Sequence, residues 1–196
     1  MKNFEQPKSS SVANDWLASK LSRTILDLNE QFEKFRISEA LMTTYKFVWD
    51  DFCSLYLEMI KPGYQQPIDQ STYNEAVKFF EIILKLIHPF TPFIAEEIWH
   101  LIKDRTDKDC VVIASWPVAE EVDDTLLSDF IFAEEIISNV RNTRKEKNIA
   151  NKVLVDLVAK ENETFSKQFD PIIEKLGNLS SLTYTSEKVD NAFSFI

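Results

Sequence analysis

The sequence predicts a mainly α protein, a helical bundle followed by a small α/β unit of β-α-β type. Apolar residues recur at steps of three and four through most of the chain, the period of one helix face. Glycine occurs only twice in 196 residues, at Gly63 and Gly177, while Leu, Ile, Phe, Glu and Lys are plentiful. Past residue 149 that period gives way to short β-branched and aliphatic runs on either side of one further helix.

Residues 1–12 have no periodicity and read as a linker start. Ser11 is a candidate cap for a first helix over 13–34, whose stripe is Leu17, Leu21, Thr24, Leu28, Phe32 and Phe35. Ser38 is a candidate cap for the second, with Glu39 in its first turn. Its stripe, Leu41, Tyr45, Val48, Phe52, Tyr56 and Met59, is widened by Trp49, Cys53, Leu57 and Ile60, as expected of a helix buried on more than one side. Pro62-Gly63 ends it. A third helix starts at Ser71, carries Tyr73, Val77, Phe80, Leu84 and Ile87 inward, and stops at His88-Pro89. Thr91 caps a fourth with Pro92 at its first position. A looser stretch over 104–118 contains a candidate strand at Val111–Ala114. The fifth helix covers 122–147, with Leu126, Phe130, Ala133, Ile137 and Val140 in period. Strands are expected at Val153–Ala159 and Ser181–Thr185, with a helix over 163–176 between them that Gly177 ends. A third strand begins at Phe193–Ile196 and reads as truncated. The domain reading is therefore a linker over 1–12, a bundle over 13–148 and an α/β unit over 149–196.

Composition excludes several function classes. Two glycines cannot build a glycine-rich phosphate loop. Two histidines, His88 and His100, supply Ser-His triads and His-rich metal sites poorly. Cys53 and Cys110 lack metal-ligand spacing and make no disulfide framework, which points to a reducing, cytoplasmic setting. No apolar run approaches the roughly 20 residues a membrane helix needs. Net charge is −10, so nucleic acid repels the chain as a whole and any RNA contact must be a local basic patch.

One such patch exists. Residues 141–152 carry five bases and one acid, whereas 119–139 carry seven acids and no base. Arg141, Arg144 and Lys145 fall at i, i+3 and i+4 on one helix face, with Lys147 beyond. Guanidinium groups so placed suit phosphate contact. On spacing alone, a solvated last turn that complements the helix dipole accounts for the cluster at least as well. Arg144 continues the apolar stripe from Val140, so either the helix has run past its core or it meets a polar partner there. Arg23, Arg36 and Lys61 are further basic candidates near helix ends or on exposed faces. His88 reads as a structural residue, adjacent Glu96 and Glu97 face different directions, and Asp50, Asp51 and Glu58 read as a solvated flank. The aromatic stripe of the second helix reads as core, so Trp49 is expected inside. No catalytic constellation emerges.

Five segments resemble one family in its own order. They are Phe35-Arg-Ile-Ser-Glu-Ala-Leu41, Trp49-Asp-Asp-Phe-Cys-Ser-Leu-Tyr-Leu-Glu-Met-Ile-Lys-Pro62, His88-Pro-Phe-Thr-Pro-Phe-Ile-Ala-Glu-Glu-Ile-Trp99, Ser115-Trp-Pro117 and Val140-Arg-Asn-Thr-Arg-Lys-Glu-Lys-Asn-Ile149. The chain resembles the valyl-tRNA synthetases, class I aminoacyl-tRNA synthetases, over about residues 14–196. Tyr56-Leu-Glu-Met-Ile-Lys-Pro62 is closer to the valyl form than to the isoleucyl one. The resemblance implies an anticodon-binding helical domain with a small junction unit, and tRNA(Val) as partner. The family's H-I-G-H and K-M-S-K-S signatures, its editing domain and its ATP and Mg sites are not in this sequence. The chain is therefore expected to be a fragment with no cofactor or catalysis of its own. The family's preceding bundle helix, with its Asn-Lys-x-Trp-Asn-Ala type segment, and its C-terminal coiled coil are likewise not in the sequence. That predicts exposed apolar surface on the second helix, weakened RNA binding and self-association. The rival expectation, which the charge of −10 favours, is a helical protein-interaction module without RNA affinity.

Overall fold

The computed structural model describes residues 5–106, 108–161, 166–187, 189 and 192–194. The chain divides into two compact units, Met1–Asp123 and Asp124–Ile196.

The first unit is helical. Helix α1 spans Lys8–Glu33 and buries Leu17, Leu21, Ile25 and Leu28 along one face. Its cap position is Pro7, with no side-chain cap bond, so the helix begins before Ser11. The second helical rod has three parts: α2 (Ile37–Lys46), a π-helical segment (Phe47–Tyr56) and α3 (Leu57–Ile60). Ser38 lies inside α2 rather than capping it. The π geometry gives i→i−5 hydrogen bonds, as where Leu57 N–H donates to the Phe52 carbonyl. The wide turns bring Phe47 and Phe52, five residues apart, into the core beside Tyr56 and Met59. The Tyr56 hydroxyl donates to Asn14 Oδ1 at 2.9 Å, joining this rod to α1 by a buried bond. Burial, with the Glu75 charge second, pushes the Tyr56 phenol up out of its ordinary range.

Helix α4 spans Gln70–Ile87, and its cap is Asp69, whose Oδ1 accepts from Thr72 N at 2.8 Å, not Ser71. Helix α5 spans Pro92–Leu101. Thr91 stands at its cap position but turns back, its hydroxyl donating to the Ile87 carbonyl at 3.2 Å. Val111–Ile113 forms a 3₁₀ turn, not a strand. Among the described residues of the first unit there is no strand for it to pair with, and the turn instead buries Val111 against Leu84 and Trp99 while Val112 and Ile113 stay exposed. The chain then returns along α1, where Ser22 and Ser19 hydroxyls accept from Glu120 N and Asp123 N at 3.1 and 3.2 Å.

The second unit opens with α6 (Asp124–Glu146) and continues through β1 (Val155–Lys160), a 3₁₀ turn (Lys167–Phe169), α7 (Asp170–Gly177) and β2 (Leu179–Thr185). β1 and β2 pair in parallel, with a register shift between Val155 and Asp156. A parallel pair needs a crossover, and α7 supplies it. Leu126, Phe130, Ala133, Ile137 and Val140 of α6 are buried, as are Phe169, Ile172, Ile173 and Leu179, and the Phe130 and Phe169 rings meet edge to face at 5.2 Å. Gly177 is the last residue of α7, and Asn178 takes the left-handed position after it at φ 52°. Residues 192–194 are not in a strand; Phe195, Ile196 and the expected helical residues 163–165 lie outside the described residues. Among the described residues, no helix is long and apolar enough to cross a membrane.

Candidate nucleic-acid interface

The basic end of α6 separates its members. Arg141 and Lys145, four residues apart on the last turns, are both exposed. Lys147 is also exposed, its Nζ 4.6 Å from the Phe193 ring centroid. These three cations lie at a helix C-terminus, where the dipole favours positive charge and water leaves them available to an anion.

Arg144 has a different occupation. It is 5% exposed. Its Nε donates to the Gly177 carbonyl at 3.2 Å, Nη2 to Asn178 at 2.7 Å, and Nη1 to Val153 at 2.9 Å and Ala150 at 3.4 Å. The guanidinium fork thus joins the end of α6, the approach to β1 and the end of α7. Carbonyls at a helix C-terminus carry partial negative charge, which is what a buried cation requires when, among the described residues, no carboxylate pairs with it. The expectation that Arg144 contacts phosphate gives way here, because its donors are engaged inside the fold. The sequence signal for this was its position on the apolar stripe.

The other predicted cations lie in the first unit. Arg36 is exposed with Nη1 3.5 Å from Glu39 Oε2, and Lys61 Nζ lies 3.0 Å from Glu58 Oε1. Exposed pairs of this kind are worth about 0–1 kcal/mol and exchange readily for another anion. Arg23 is half-buried in the middle of α1. Asp51 pairs with Lys20 at 3.5 Å.

The aromatic stripe splits in two. Phe52 and Tyr56 are buried, as expected. Tyr45 and Trp49 are not; Trp49 is 58% exposed, and the two rings stack at 6.3 Å with 6° between their planes. The expectation of Trp49 in the core is corrected by the wide turns, which give the inward position to Phe47 and Phe52. Ile37, Leu41 and Met42 extend the exposed apolar strip toward the start of α2. Composition could not identify this pair, because a four-residue step between aromatics reads the same for an inward face and an outward one.

Comparison with known proteins adds a family. A model of the anticodon-binding domain of tRNA ligases matches residues 14–159, from within α1 to within β1. The chain is 45% identical to the valine–tRNA ligase of Christiangramia forsetii over 192 residues, 98% of this chain and 22% of that protein. It is 42% identical to that of Parabacteroides distasonis, over 97% of this chain and 22% of the relative. With that of Phocaeicola vulgatus it shares 41% identity, over 99% and 22%. The chain thus spans about a fifth of the length of the curated relatives it matches.

Proposed function

The chain belongs to the family of anticodon-binding domains of tRNA ligases, and from that premise we propose that it binds the anticodon arm of a valine tRNA in the cytoplasm. The observation that carries this reading is the family match over residues 14–159, joined to 41–45% identity with three valine–tRNA ligases. The ATP-driven attachment of valine would belong to a whole ligase, in which this chain supplies tRNA contact and no reacting group.

Two surfaces suit the role. Arg141, Lys145 and Lys147 offer cations to phosphates, which position the RNA without reading its sequence. Arg36 and Lys61 are exposed enough to join by leaving their carboxylate partners, and Arg23 is the weakest candidate because it is half-buried. The flat Tyr45–Trp49 pair offers an aromatic face to an unstacked anticodon base, the usual mode of single-strand recognition. A stacked base is worth about 1–3 kcal/mol.

The test is a fluorescence-anisotropy titration with a valine anticodon stem-loop and a loop of mismatched anticodon, each at two salt concentrations. Preferential binding of the valine loop that weakens with salt is expected. Replacing Arg141, Lys145 and Lys147 together by Ala should lower the salt slope by about 0.7–0.9 per lost contact. Equal affinity for the two loops would remove the valine assignment, and binding to neither would remove RNA binding. In the second case the exposed strip of α2 favours a protein-interaction module, and concentration-dependent sedimentation would then reveal self-association.

A further inference from the structure

We propose that Glu96, His100 and Cys110 form a binding site for a borderline-soft divalent cation of the zinc class. A carboxylate oxygen of Glu96, a ring nitrogen of His100 and Cys110 Sγ all lie within 4.8 Å of one another. Ligand atoms around tetrahedral zinc, at the usual bond lengths, are about 3.3–3.6 Å apart. No gap therefore needs to close by more than about 1.5 Å, a shift of the size that a change of side-chain torsion makes.

The backbone beneath the cluster is held firmly. Glu96 and His100 are four residues apart on α5, so both side chains leave the same face. Cys110 reaches that face because its two neighbours are anchored. The Asp109 carbonyl accepts from Trp99 Nε1 at 3.0 Å, and Val111 is buried against Leu84 and Trp99. The Arg105 guanidinium lies over the Trp99 ring at 3.8 Å, with its Nε 3.5 Å from Asp109 Oδ2, and also pairs with Glu81. The loop is thereby tied to the helix.

The ligands are oriented as well as close. Glu96 Oε2 accepts from Val111 N at 3.0 Å, which fixes the carboxylate plane and leaves Oε1 facing His100 Nε2 at 3.1 Å. A cation would take the place of that hydrogen bond. All three residues are half-buried, dry enough to strengthen the coordination and open enough to admit an ion. A shallow cleft lined by His88, Phe93, Glu97 and Val112 opens on the same imidazole and carboxylate and gives room for a water as fourth ligand. Carboxylate and thiolate together match the charge of a dication. As the Sγ–metal bond forms, the thiol proton leaves to solvent, so atoms and charge balance without an oxidant. A thiolate, an imidazole and one carboxylate make a donor set that favours zinc and its neighbours over the all-oxygen shells of calcium or magnesium.

The test is a cobalt(II) titration of the full chain, with zinc as competitor. Tetrahedral cobalt bound to thiolate shows a sulfur-to-metal charge-transfer band in the near ultraviolet. We expect that band to saturate at one equivalent, to vanish on adding zinc and to be lost in Cys110→Ser. It should persist in Cys53→Ser and need more than about tenfold more cobalt in His100→Ala. A second measurement needs no variant: zinc should slow alkylation of Cys110 in the wild-type chain while leaving exposed Cys53 unprotected, as mapped by mass spectrometry. Absence of the band from the wild-type chain, its persistence in Cys110→Ser, or equal alkylation of Cys110 with and without zinc would overturn the proposal.

Discussion

Arg144 gives the sharpest quantitative prediction. Replacing it by Met keeps a long apolar stem and removes every donor. Three of its bonds, to Gly177, Val153 and Asn178, are 2.7–3.2 Å long, and the fourth, at 3.4 Å, is too long to contribute much. Hydrogen bonds to a charged group are worth roughly 1.5–3 kcal/mol each, so three amount to about 4.5–9 kcal/mol in gross terms. Returning the guanidinium to water in the reference state offsets several kcal/mol of this. The net loss should be about 3–4 kcal/mol, a large part of the roughly 5–15 kcal/mol available to a domain. Arg144→Lys should fall between wild type and Met, because an ammonium cannot fan toward carbonyls on three segments. Hydrogen exchange followed by mass spectrometry reads the effect where it occurs. Amides of β1, α7 and β2 should lose protection by at least two orders of magnitude while those of α1 hold. All four tryptophans, at 16, 49, 99 and 116, lie in the first unit, so their fluorescence is an internal control. Unchanged protection across β1 and α7 in Arg144→Met would refute the assignment of this side chain as the tie of the second unit.

Trp49→Ala should lower stability by less than about 1 kcal/mol, since the ring is mostly in water and its stacking on Tyr45 is worth little more; a urea-derived loss near the roughly 3–5 kcal/mol of a core Trp would place it inside. Tyr56→Phe should cost about 1–2 kcal/mol by leaving Asn14 Oδ1 unpaired, and a loss under about 0.3 kcal/mol would mean that Asn14 finds another partner. The Tyr56 phenol is raised in the folded state, so its contribution is complete below the ordinary value of 10.0 and declines as pH rises past it; Phe at this position should flatten the alkaline limb of the stability curve. Asp156 behaves in the opposite sense. Hydrogen bonds from Ser181 and then Ser180 hold its carboxyl below the ordinary 3.8, so its contribution to the β1–β2 pair is present above that value and is lost as pH falls through the folded value. Carbon-detected NMR should find a midpoint below 3.8, and one at or above it would contradict the bonding.

Much of the fold was legible because period and composition agree over long windows. The helices over α1, α4, α5 and α6, and the β-α-β tail, follow from spacing and from the change of residue types after 149. What spacing does not carry is geometry at the ends. Asp69 and Ser71 are equally good capping chemistry, and only the position of Thr72 N decides between them. Thr91 looked like a cap and instead turned its hydroxyl back. Val111–Ala114 had strand composition, but a strand exists only where another strand is waiting. In the candidate interface, the charge run at 141–147 was visible, and so was the anomaly of Arg144 on the apolar stripe. The carbonyls that receive it come from residues 150, 153, 177 and 178, which no local pattern connects to it. The Glu96–His100 step of four was equally visible, while Cys110 reaches that face only through an irregular loop held by Trp99.

The π-helical segment leaves the second rod with a surplus residue. Between Phe47 and Phe52 five residues cover what the core uses as a single turn, whereas five residues of α-helix would overshoot a turn by about 140°. Loss of one residue from the outward arc between them would let the rod close into ordinary α-helix with both phenylalanines still inward. Gain of one would swing everything after it, Tyr56 and Met59 included, away from α1. Length variation in this part of the lineage should therefore be one-sided, with deletions tolerated and insertions purged, and the shorter forms would differ chiefly in how they present the ring at position 49.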